Sequence, residues 1–169
     1  VRPRRAINVM IGPPADPKDD ARVLKLFFAK EGSHICCGGS TAHMISRYLN
    51  KPIIPVEDSG TDKVPAIATI EGMDLVTEGI ITLQQVADLA EQYVSDNRLS
   101  ITINSGNDGV SLLCAYLFEQ ATDINFFFGK AENTANDDLD IGMDAKAIVI
   151  NRLISSLREM GKNVKISRC

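Results

Sequence analysis

The stretch Cys36-Cys37-Gly38-Gly39-Ser40-Thr41 comes closest, in residue type and spacing, to a chemical motif. It joins a short apolar run, Ser33–Cys37, to an amphipathic segment that starts near Thr41. Two adjacent glycines let backbone N–H groups approach a ligand. A helix that starts here presents unpaired N–H groups and a partial positive charge, which favour an anion. Ser40 and Thr41 add hydroxyls, although either serves equally as an ordinary helix cap. The loop is neither GxxxxGK[ST] nor GxGxxG. Three further turns carry candidates: Gly12-Pro13 after the first apolar run, Thr77-Glu78-Gly79 downstream of Glu71 and Asp74, and Gly129-Lys130 after three phenylalanines. Glu78 offers a carboxylate for a sugar hydroxyl or a cation, and Lys130 a cation for an anion. The candidate ligand-binding set is therefore Gly12, Pro13, Gly38, Gly39, Ser40, Thr41, Thr77, Glu78, Gly79 and Lys130.

Catalysis by a thiol would use Cys37, whose place at a helix start lowers a thiol pKa. A base is then required, and His34 and His43 are the two histidines. On a regular strand His34 points to the opposite face from Cys37, and His43 lies on the next helix. No nucleophile–base pair results, so no catalytic residue is assigned. The four cysteines, Cys36, Cys37, Cys114 and Cys169, lack the CxxC spacing of structural zinc. They read as free thiols, with no metal site in this domain.

The elements that must position these turns alternate in type. Strands are expected at Ala6–Ile11, Ser33–Cys37, Pro52–Val56, Val64–Ile70, Gly72–Val76, Leu99–Ile103, Asp123–Phe128 and Asn163–Ser167. Helices are expected after Asp16-Pro17 up to Gly32, over Thr41–Leu49, from a Thr82 cap to Val94, over Val110–Ala121, and over Met143–Met160 with Gly161 as stop. Asn104–Gly109 and Asn133–Asp140 read as polar loops. Strands alternating with helices predict an α/β fold, an open and largely parallel sheet with helices on both faces, Rossmann-like and three-layered. Its turns at the carboxyl edge are where such folds usually bind ligands. Neighbouring first and second strands would bring the Gly12 and Gly38 turns together.

Composition bounds the partners. The 169 residues suit one domain, and a formal net charge of −4 gives no clustered basic surface for nucleic acid. No apolar run approaches the ~20 residues of a membrane helix, and no signal peptide is visible. A cytoplasmic location is the expectation. Residues 1–5, Val-Arg-Pro-Arg-Arg, read as a linker from an upstream domain, with residues 6–169 as a single α/β domain.

Residues Ile35–Leu49, together with Met10–Pro14, Asp74–Leu83 and Phe127–Asn133, resemble in order the C-terminal part of bacterial SpoIIE-type serine/threonine phosphatases. Ser40 stands where the family has Thr, His43 where Asn is common, Lys130 where Arg is common, and Cys36 adds a second cysteine. The resemblance implies a parent hydrolase whose catalytic domain, with paired Mn²⁺ or Mg²⁺, precedes Val1. This chain has a single Asp108-Gly109 and no partner set for those metals. The expected role is a regulatory domain that binds a small anionic ligand at its Gly-rich turns. The alternative is a module for homodimerisation or for docking the phosphatase on a partner.

Overall fold

Residues Ala6–Ile11 form strand β1, in which Ile7, Val9 and Ile11 face one side and Met10 the other, all buried. A strand so apolar on both sides needs a layer of helices on each, and it has them. The computed structural model describes residues 5–12, 17–56, 67–77, 79–95, 109–129 and 141–168. After β1 come α1 (Asp20–Ala29), β2 (Ser33–Cys37), α2 (Gly39–Leu49), β3 (Ile54–Pro55), β4 (Ala68–Thr69), β5 (Leu75–Thr77) and α3 (Ile80–Ser95). Then follow α4 (Gly109–Cys114), which runs on into a π-helical stretch Ala115–Gln120, β6 (Asp123–Phe128), α5 (Ile141–Glu159) and β7 (Asn163–Arg168).

The sheet has seven strands in the order β3-β4-β5-β2-β1-β6-β7. β5, β2, β1, β6 and β7 run parallel, while β3 and β4 extend the β5 edge antiparallel. Strand addition runs outward from β1 first one way, to β2 and β5, then the other way, to β6 and β7. Crossovers keep one hand, so reversing direction moves the helices to the opposite face. Accordingly α1 and α2 pack on Met10, Cys36, Val76 and Phe127, and α3, α4 and α5 pack on Ile7, Val9, Ile35 and Phe126. This is the three-layer, mostly parallel α/β fold expected from the pattern.

Several boundaries differ from the sequence expectation, each for a local reason. α1 starts at Asp20 after a 3-10 turn over Pro17–Asp19, and its N-cap, Asp19, makes no side-chain cap bond; Asp16 lies outside the described residues. α2 starts at Gly39, because Gly38 takes φ +119° and leaves Gly39 free to be helical. Thr82 is no cap. It lies inside α3, fully buried, and its hydroxyl has no partner among the described residues. The helix expected over Val110–Ala121 keeps its place but widens, closing with a bond from the Ala121 N–H to the Tyr116 carbonyl at 3.0 Å. The three phenylalanines divide as their alternation requires, with Phe126 and Phe128 on one face and Phe127 edge-on to Phe27 at 5.3 Å on the other. The strand expected at Leu99–Ile103 and the loop at Asn133–Asp140 lie outside the described residues.

Candidate functional site

In a doubly wound sheet the strand order reverses at one point, and the crevice there, at the carboxyl ends of the two strands, is the usual ligand site. Here that point lies between β1 and β6. Their ends meet closely, the Gly129 N–H donating to the Ile11 carbonyl at 2.8 Å. Gly12 has φ +81°, and a Cβ on it would stand 3.2 Å from the Gly129 carbonyl oxygen. Neither the dihedral nor the space suits a side chain, so glycine is the residue that fits.

Three of the expected turns converge on this edge. The Gly12 N–H donates to the Thr41 hydroxyl at 2.8 Å, which ties the end of β1 to the start of α2. The Gly38 N–H donates to the Thr77 carbonyl at 3.0 Å, and a Cβ on Gly79 would touch the Gly38 Cα at 3.4 Å. The β2–α2 and β5–α3 turns thus pack glycine against glycine. Helix α2 makes its first internal bond from the Ala42 N–H to the Gly38 carbonyl. The Gly39, Ser40 and Thr41 N–H groups accordingly find no acceptor among the described residues. Gly39 and Ser40 are exposed, with open space around the Gly39 Cα.

The candidate residues therefore separate by role. Thr41 and Thr77 are buried; the Thr41 hydroxyl accepts from Gly12, and that of Thr77 lies 3.4 Å from the Cys36 carbonyl. Both hydroxyls hold the edge together from within. Gly39 and Ser40 form its open rim. Pro13, Glu78 and Lys130 lie outside the described residues.

The thiols do not join this edge as reagents. Cys36 is fully buried, points its Sγ–H at the Gly38 carbonyl 3.7 Å away, and has its pKa pushed up by burial and then by neighbouring Cys37. Cys37 packs in the opposite core layer from His34, whose ring sits edge-on to Phe27 with Nε2 3.0 Å from the Phe27 carbonyl. His43 is exposed on α2. Among the described residues no group of three His, Cys, Asp or Glu side chains is placed to hold a metal ion, and no helix is long and apolar enough to cross a membrane.

A second concavity lies at the opposite, amino edge of the sheet, a cleft of about 570 Å³. Sequence reasoning missed it. Its signal was a lone asparagine in each of two apolar strands, Asn8 and Asn125, which the parallel register places side by side. No family model, curated protein or solved structure matches the chain.

Proposed function

We propose that this domain is the C-terminal regulatory part of a SpoIIE-like serine phosphatase, and that it binds a small anionic ligand at the carboxyl edge of its sheet. The observation that carries the binding reading is the set of N–H groups at Gly39, Ser40 and Thr41 that find no partner among the described residues. They stand at the start of α2, beside the point where strand order reverses. Backbone donors at the positive end of a helix favour negative charge. The phosphatase reading rests on the resemblance carried by Ile35–Leu49 and Asp74–Leu83. The parent's Mn²⁺ or Mg²⁺ chemistry belongs upstream of Val1, in the cytoplasm. The docking alternative draws less support, because the large exposed apolar side chains include Leu26 and Tyr48 on one face and Ile81 and Ile148 on the other.

The test uses thermal melts of the 169-residue chain with inorganic phosphate, pyrophosphate, nucleotides and dicarboxylates. At a hundredfold excess over Kd, binding stabilises by about 2.7 kcal/mol, or roughly 5–10 °C for a domain of this size. Ser40→Glu places a carboxylate on the same N–H groups. A carboxylate in the first turn also favours the helix, so the variant keeps its fold while losing the carboxyl-edge part of the ligand response. A response that Ser40→Glu leaves undiminished for every anion tested, or no response to any of these anions, refutes the binding reading. The regulatory reading predicts that the responding ligand alters dephosphorylation by the parent, and an unchanged rate refutes it.

A further inference from the structure

The amino-edge cleft is built rather than incidental. Arg5, Lys30 and Lys165 line it with Glu31 as the single carboxylate, a formal excess of two positive charges in a chain whose net charge is −4. None of the three cations makes an ion pair among the described residues. The cleft exists because α1 and α2 do not extend over β7, whose Asn163, Lys165 and Ser167 are exposed on that face.

Its walls are fixed from beneath. Asn8, fully buried in β1, donates through Nδ2 to the Glu31 and Ser33 carbonyls at 3.0 and 3.2 Å. Those bonds pin the turn that carries Lys30 and Glu31. Gly32, at φ +108°, brings that turn onto β1, where a Cβ would lie 2.0 Å from the Ala6 carbonyl oxygen. Asn8 Oδ1 accepts from Asn125 Nδ2 at 3.0 Å, so the Asn125 carboxamide is oriented at the cleft wall. The Arg5 backbone is clamped on both sides: its N–H donates to the Thr122 hydroxyl at 2.8 Å, and its carbonyl accepts from the Thr122 and Asp123 N–H groups. The π-helical stretch ends at Gln120 on the same wall, and such stretches recur at functional sites.

We propose that this cleft is a binding site for a small polyanion, an organic phosphate or a polycarboxylate, separate from the carboxyl edge. The volume suits a metabolite of that size. Arg5 and Lys30 lie on anchored backbone and Lys165 on β7, with Glu31 the single carboxylate against three cations, and asparagine and glutamine amides in the lining offer donors. A polyanion would balance the two excess positive charges.

Titration calorimetry of the chain at low salt, with pyrophosphate and with citrate, tests this. The expected result, for at least one of the two, is a site that Lys30→Gln/Lys165→Gln weakens tenfold or more and that persists within twofold in Ser40→Glu, whatever happens to any carboxyl-edge binding. Pyrophosphate preference assigns a phosphate ligand, and citrate preference a carboxylate. All three substitutions fall on exposed residues, so folding is preserved and is verified by circular dichroism. Absence of heat for both anions at ~10 mM overturns the proposal. So does binding that Ser40→Glu abolishes while the double lysine variant leaves it intact.

Discussion

Asn8→Leu separates what the buried amide does from the volume it fills. The substitution removes two bonds to the Glu31 and Ser33 carbonyls and one from the Asn125 amide. Glu31 is exposed and Ser33 half-buried, so water reaches much of what is orphaned. Each lost bond then costs about 1 kcal/mol, near the lower end of the range for unsatisfied groups. Three such losses, offset by about 1 kcal/mol from burying the larger apolar side chain, leave a net destabilisation of about 2 kcal/mol. With an m-value of about 2 kcal/mol/M, the urea midpoint falls by roughly 1 M with unchanged slope. Asn125→Ala completes a double-mutant cycle, whose expected coupling with Asn8 is about 1 kcal/mol. Hydrogen exchange should also quicken at the amides of residues 31–33. A midpoint within ~0.2 M of the parent's, or zero coupling, would refute the idea that this amide pair holds the cleft wall.

Gly32→Ala and Gly161→Ala share a positive φ, but the added Cβ meets the Ala6 carbonyl at 2.0 Å in the first and open space in the second. Gly161→Ala should cost about 1–2 kcal/mol from the dihedral alone, and Gly32→Ala at least ~2 kcal/mol more because β1 must shift. Equal losses in thermal melts would mean that the close approach is absent. Arg152 on α5 donates to Asp88 at 2.6 Å and Glu91 at 3.2 Å on α3. Its bond to Glu91 holds that carboxyl below the usual range. That stabilisation is fully present above the unfolded-state carboxyl pKa of about 4.3 and disappears as pH falls through the lower folded value. Arg152→Ala should therefore lower Tm by roughly 1–3 °C at pH 7, with the gap closing in acid and in 1 M salt; a gap that widens in acid would contradict this. Cys36, Cys37 and Cys114 are buried, so iodoacetamide should leave all three unmodified in the native chain and label them in urea. Rapid native labelling of Cys37, read by peptide mass mapping, would reopen the thiol chemistry.

Periodicity made the fold legible, because every long element buries a face. The alternation in Asp123–Phe128 and the helical spacing of Val23, Leu24 and Phe27 each had one arrangement that kept them dry. Termini were less legible, since a cap is set by one residue's dihedral. Gly38 moved the start of α2, and the Thr82 hydroxyl gained a place in the core instead of a capping bond. The carboxyl-edge turns were legible from their glycines. Their division into an internal brace, Thr41 and Thr77, and an open rim, Gly39 and Ser40, was not, because serine and threonine look alike in a string. The amino-edge cleft was least legible of all. Its cations come from Arg5, Lys30 and Lys165, separated along the chain, and only the pairing of β1 with β2 and β6, and of β6 with β7, brings the segments that carry them together.

The two edges can be interrogated independently, for a physical reason. β1 (Ala6–Ile11) links them, with Asn8 anchoring one and Gly12, just past the strand, the other; the four steps between them at ~3.3 Å each span about 13 Å. That exceeds the Debye length of about 8 Å at physiological salt. A charge introduced at Ser40 is therefore screened from Lys30 and Lys165, and the reverse. If Ser40→Glu nevertheless weakened citrate or pyrophosphate at the lysine cleft, the coupling would have to be mechanical and pass along β1. Asn8→Leu, which loosens only the amino-edge turn, should then alter anion binding at the carboxyl edge. With no such coupling, each edge responds only to its own substitutions.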